Sequence, residues 1–94
     1  MPCPCCGFAT LDERGGFEVC PVCFWEDDGQ DNHDADLERS GPNRLSLTAA
    51  RRNYLEFGAC ERSAVRNVRG PTEQEPRLRR FGLRAGAVVE LAPE

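Results

Sequence analysis

Four of the six cysteines fall into two pairs with metal-ligand spacing, Cys3/Cys6 and Cys20/Cys23, with thirteen residues between the pairs. Two thiolates separated by two residues can turn inward around one ion. Each first cysteine precedes a proline, in Cys3-Pro4-Cys5-Cys6-Gly7 and Cys20-Pro21-Val22-Cys23-Phe24. Proline sets φ near −65° at the start of such a turn, and Gly7 can take the positive φ that closes it. Two such knuckles supply four thiolates at tetrahedral angles, which suits Zn²⁺ at about 2.3 Å per bond. Iron on the same knuckles is the alternative, because a rubredoxin-like site is built this way. Two disulfides or a dithiol redox pair are the competing readings of the spacing. Four thiolates would close the coordination shell, whereas a zinc hydrolase needs an open position. Enzymatic activity is therefore not expected.

Cys5 and Cys60 lie outside the two pairs. They read as a variable knuckle residue and a small buried hydrophobe, as further metal ligands beside the ribbon, or as reactive thiols. His33 sits in the polar run 26–38, where a solvated side chain is expected. That run invites a calcium reading, with Asp27, Asp31 and Glu38 at positions 1, 5 and 12 of a twelve-residue frame. Gly29 at position 3 and Asn32 at position 6 break the frame.

The elements that must hold these residues follow from pattern. Phe8–Leu11 reads as a strand, 12–16 as a turn and Phe17–Val19 as the returning strand, which would bring the knuckles together as a zinc ribbon. Residues 24–26 continue as a third strand, with Trp25 beside the metal. Ser46 is an N-cap for a helix over Leu47–Phe57, with Leu47, Ala50, Tyr54 and Phe57 on one face and Gly58 as the C-cap. A second short helix is expected over Cys60–Asn67. Residues 70–76 read as a linker, and Arg77–Arg84 as a basic run that could meet RNA, an acidic protein or the chain's own acidic loop. Residues 85–91 form either a strand or a disordered end. The expected fold is a small metal-bound α+β domain over 1–70, with a loose basic tail over 71–94.

The chain has 94 residues, 39% hydrophobic and 30% charged. Ordering costs roughly 1.5 kcal/mol per residue, so a domain this small usually needs disulfides or a metal. A structural zinc can contribute on the order of 10 kcal/mol. No stretch approaches the roughly 20 apolar residues of a membrane span. The N-terminus lacks the pattern of a secretory signal, so reduced thiols and a cytosolic location are expected.

Net charge is −4, unevenly divided. Residues 1–38 hold ten acids against Arg14 alone, while all eleven other arginines follow. An acidic half repels nucleic acid and an arginine-rich half attracts it, so charge alone does not choose the partner. The residues offered to a partner are Trp25, Asp27 and Asp28 in the acidic half and Arg79 and Arg80 in the basic run. A protein partner is the preferred class. Redox or metal handling through Cys5 and Cys60 is second, and nucleic-acid binding through the arginines third.

The tetrapeptide Cys3-Pro4-Cys5-Cys6 and the segments Thr10–Gly16, Cys20–Asp28, Ser46–Arg51 and Phe57–Cys60 resemble the cysteine-rich CPCC family of small bacterial proteins. The resemblance covers about residues 2–72. It implies a zinc-binding module without implying an activity. Because Cys5 and Cys60 fall inside the matching segments, it also weighs against their being there by accident.

Overall fold

The computed structural model describes residues 1–39 and 41–92. One helix, α1 (Leu47–Phe57), and one antiparallel hairpin, β1 (Arg80–Arg84) with β2 (Ala87–Leu91), are its regular elements. Two 3-10 turns, Asn32–Asp34 and Arg62–Asn67, complete them. The structure is thus a small α+β fold, with most of the core contributed by cysteine-rich loops.

Helix α1 has the bounds and caps that the sequence predicts. The Ser46 hydroxyl accepts from Ala49 N–H at 3.0 Å, which satisfies one of the orphan donors of the first turn. Gly58, at φ 83°, closes the other end by donating to the Tyr54 carbonyl, a left-handed cap that glycine takes without steric cost. Leu47 and Ala50 are fully buried on the inner face, and Arg51 is buried beside them. The short helix expected over Cys60–Asn67 is a 3-10 turn over Arg62–Asn67, anchored by buried Ala64.

The ribbon strands pair differently from expectation. Phe8 forms an isolated bridge with Arg77, and Val19 bridges Glu26. Phe8–Leu11 and Phe17–Val19 are therefore not paired strands, and the third strand expected at 24–26 is reduced to the Val19–Glu26 bridge. The reason lies in the knuckles, each of which folds its outgoing chain back upon itself. Cys3 N–H donates to the Phe8 carbonyl and Cys20 N–H to the Trp25 carbonyl, both at 2.9 Å. The intervening loop is closed by side chains instead of a strand ladder. The Glu18 carboxylate accepts from Asp12 and Glu13 N–H, and Asp27 accepts from Gly15 N–H.

The free edge left at residues 7–9 is filled from the other end of the chain. Ala9 N–H donates to the Pro76 carbonyl, and Leu78 and Arg79 N–H both donate to the Gly7 carbonyl. The expected linker is consequently an ordered crossing, closed by a turn in which Glu75 N–H donates to Thr72 O.

Beyond the linker, the expected loose tail is a hairpin packed on α1. Register runs from Arg80 opposite Leu91 to Arg84 opposite Ala87. Its two-residue loop, Ala85-Gly86, has positive φ at both positions (52° and 82°), the geometry that matches the twist of a tight hairpin. Phe81 is the buried anchor.

Candidate metal centre

The two knuckles have the same local geometry. In each, the residue after the second cysteine donates to the carbonyl of the first: Gly7 N–H to Cys3 O and Phe24 N–H to Cys20 O, both at 2.8 Å. Both residues take positive φ, 85° at Gly7 and 73° at Phe24. Cys5 and Val22 occupy matching positions and are both buried.

This repetition points four sulfurs at one another. The Sγ atoms of Cys3, Cys6, Cys20 and Cys23 all lie within 4.8 Å of each other, and none of these residues has any exposed surface. Across the knuckles, Cys3 Sγ is 3.6 Å from Cys23 Sγ, and Cys6 Sγ is 3.7 Å from Cys20 Sγ. A disulfide would bring two sulfurs to about 2.05 Å, and all six cysteines are free. Four thiolates on a tetrahedron about 2.3 Å from its centre would stand about 3.8 Å apart. The spacing therefore fits one metal ion held by four sulfurs. Such an ion would act structurally, by tying both knuckles to one point, with no position left for substrate.

Electrostatics within the cluster favour ionisation at Cys20 and oppose it at Cys6 and Cys23. Hydrogen bonding from Cys23, Cys3 and Cys6, assisted by Thr10, holds the Cys20 thiol well below its ordinary range. The Thr10 hydroxyl lies 3.0 Å from Cys20 Sγ. Cys6 is pushed the opposite way, foremost by its hydrogen bond with Cys20, and Cys23 chiefly by burial.

Cys5 and Cys60 do not join the four. Among the described residues, the group able to hold a metal comprises Cys3, Cys6, Cys20 and Cys23. Cys5 is 1% exposed and Cys60 3%. Burial raises both thiols, that of Cys60 to about 12. Cys60 also has a backbone role, donating its N–H to the Cys23 carbonyl at 2.7 Å. Together with Arg69 N–H on the Pro21 carbonyl, it fastens the 60–69 segment to the second knuckle.

The residues offered to a partner are distributed otherwise than the sequence suggests. Trp25 and Asp27 are fully buried, so they present no surface as folded. Asp27 is an internal anchor that receives Arg14 Nε at 3.0 Å and Gly15 N–H at 2.7 Å. Asp28 is half-buried and accepts from Gln30 N–H. Arg79 turns inward, onto Asp31 and Glu90. Arg80 is half-buried at the start of β1. His33 is exposed, 3.6 Å from an oxygen of Asp34. Asp27 and Asp31, two of the carboxylates of the broken calcium frame, hold arginines.

Asp31 is the hub joining the acidic loop to the rest of the fold. Its carboxylate receives Arg14 Nη1 at 2.7 Å, Arg79 Nη2 at 2.9 Å and Asn32 N–H at 2.7 Å. Partial burial opposes its ionisation, but the Arg79 and Arg14 guanidiniums outweigh that and hold it well below the usual carboxylate range.

Sequence reasoning missed Thr10, Arg14 and Arg51. Arg51 had a readable signal: at i+4 from Leu47 and i−3 from Tyr54 it falls within the apolar stripe of α1. Thr10 and Arg14 had none, because their partners depend on how the loop 12–16 closes.

No helix among the described residues is long and apolar enough to cross a membrane. Searches of curated proteins and of solved structures return no match. The family model described as cysteine-rich CPCC matches residues 1–75. With both knuckles, α1 and the segment over the second knuckle inside that span, the chain belongs to the cysteine-rich CPCC family.

Proposed function

We propose that this chain is a zinc-stabilised module for binding another protein. Zinc is the reading for the four-sulfur cage because it takes tetrahedral thiolate coordination without redox chemistry. A protein as isolated that is colourless and carries zinc supports this, whereas iron in the site overturns it.

The observation that carries the interaction reading is an exposed apolar surface on the second knuckle. Phe17, Val19 and Phe24 are 57%, 43% and 39% exposed. Phe17 and Phe24 hold left-handed backbone, at φ 61° and 73°, where a non-glycine residue costs roughly 1–2 kcal/mol. Strained backbone clusters at functional sites; at Phe24 the knuckle turn itself requires it, as at Gly7, whereas Phe17 lies outside that turn. Val19 and Phe24 line a cleft of about 140 Å³ with Leu45, Glu26 and Glu61. Phe17 lines a neighbouring one with Asp28 and Arg39, and the two clefts meet at Pro42.

The other two readings draw less support. Cys5 is enclosed; Cys60 lines the same cleft as Val19 and Phe24 but is only 3% exposed, and burial pushes its thiol up to about 12, which is unfavourable for thiol exchange. A phosphate approaching Arg79 would have to displace Asp31 and Glu90. The test is affinity capture with the wild-type chain and a Phe17→Asn/Phe24→Asn variant, asparagine being tolerant of left-handed backbone. The expected result is a partner retained by the wild type and lost from the variant, with equal metal content in both. Equal retention by the two removes the reading.

A further inference from the structure

Arg51 is 5% exposed, yet it carries an ionised guanidinium into the core. Burying a charge is costly unless it is paired and hydrogen-bonded. The partners in view only half account for it. Nε donates to the Pro4 carbonyl at 2.8 Å, inside the first knuckle between Cys3 and Cys5. The guanidinium lies 4.1 Å over the Phe81 ring. Nη2 has no hydrogen-bond acceptor, and its approach to Asp31 Oδ1 is 3.6 Å.

Asp31 cannot come closer in this arrangement. A carboxylate offers about four lone-pair sites, and four shorter bonds fill them: two from Arg79, one from Arg14 and one from Asn32 N–H. The buried cation is therefore fixed against the knuckle, paired with Asp31 only at 3.6 Å and with Nη2 left without a hydrogen-bond acceptor. Four thiolates around a divalent cation carry a net charge of −2, enclosed by residues with no exposed surface, where charges interact more strongly than in water.

We propose that Arg51 is the positioning and charge-balancing residue of the metal centre. It fixes the first knuckle through the Pro4 carbonyl and offsets the negative charge of the filled cage. The inference rests on the reading that a divalent metal occupies the four-cysteine site, and it extends that reading to a residue outside the coordination shell. Partners of metal ligands commonly change affinity by about 10–100-fold when removed.

The experiment measures metal release to a chromogenic chelator from the zinc-loaded chain, together with the visible spectrum of the cobalt-substituted chain, for wild type, Arg51→Gln, Arg51→Lys and Arg52→Gln. Arg52, the neighbour on α1, donates outward to the Gly86 carbonyl and controls for loss of an arginine as such. Arg51→Gln is expected to release zinc at least about tenfold faster while keeping the cobalt–thiolate bands. Arg51→Lys should stay within about threefold of wild type, and so should Arg52→Gln. An Arg51→Gln chain releasing at the wild-type rate overturns the proposal. So does an Arg51→Lys chain as fast as Arg51→Gln, which would make shape the cause and not charge. Should Arg51→Gln fail to fold, Arg51→Lys decides: near-wild-type release supports the proposal and a tenfold increase overturns it. A wild-type chain that binds no divalent metal removes the underlying reading, and that result appears before any variant is compared.

Discussion

The two knuckles share a backbone and differ in what lies against it. Over the first, the 76–79 segment donates two N–H groups to the Gly7 carbonyl. A Cβ built on Gly7 would stand 1.8 Å from the Arg79 carbonyl oxygen. Over the second, the 60–69 segment bonds to Pro21 and Cys23, and the position matching Gly7 holds Phe24, 39% exposed. Positive φ is required at both places, but only at the first does packing also exclude a side chain. A recurring metal-binding turn thus fixes the cysteines and the fold of the backbone, while its neighbours decide whether the closing residue is buried or displayed.

The largest expected effect falls on what the knuckles share. Cys20→Ser, or complete chelation, should abolish the cooperative thermal transition, since a structural zinc contributes on the order of 10 kcal/mol and typical domains have little more than that in net stability. Circular dichroism during a chelator titration checks this; a metal-free chain with an unchanged melting curve would contradict it.

The knuckles should then separate under matched substitutions. Gly7→Ala combines left-handed strain with a backbone overlap, and about 3 kcal/mol of destabilisation or more is expected. Phe24→Gly relieves strain and loses partial burial, so its stability should lie within about 1 kcal/mol of wild type. Denaturant midpoints at constant slope measure both. Equal losses would mean that the second knuckle is as constrained as the first.

Acid should attack the cover of the first knuckle. The Arg79 guanidinium lowers Glu90 to about 2, and Asp31 is held down by the same arginine. Carboxylates depressed in the folded state contribute stability that is present above their unfolded pKa values, near 4. That contribution is lost as pH falls through the folded values. Amide protection factors across β1 and β2, taken relative to the intrinsic exchange rate at each pH, should therefore fall below about pH 4. Glu90→Gln should flatten that dependence, and a profile unchanged by the variant would place the acid response elsewhere.

The smallest effect belongs to Glu75. Arg69 holds its carboxyl down at about 2, but the pair sits at the surface, where salt screens it. Glu75→Gln should leave the melting temperature unchanged at high salt. A shift that persists there would give the crossing turn a larger share in holding the cover.

Local chemistry was legible in the sequence, and long-range pairing was not. Cys3, Cys6, Cys20 and Cys23 could be assigned from spacing, because a knuckle is determined within a few residues. Helix α1 could be read residue by residue for the same reason: Ser46, Gly58 and the apolar stripe lie within one short segment. Phe8 pairing with Arg77 depends on an edge left open by two self-closing knuckles, and no local pattern records that. Arg79 reads as a cation that could meet RNA, an acidic protein or the chain's own acidic loop, and only the placed Asp31 chooses the last of these. Trp25 and Asp27 misled in the other direction, since an aromatic next to an acidic run resembles a display surface. Here the aromatic is enclosed and the acid anchors Arg14.

The central claim is one metal held by four sulfurs, with Cys5 and Cys60 outside the shell. Elemental analysis combined with native mass tests it most directly, on the wild type and on a Cys5→Val/Cys60→Ala variant in which position 5 takes the residue found at Val22. One zinc per chain in both proteins is the predicted result. Two metals per chain, iron, or loss of the metal from the variant would contradict it.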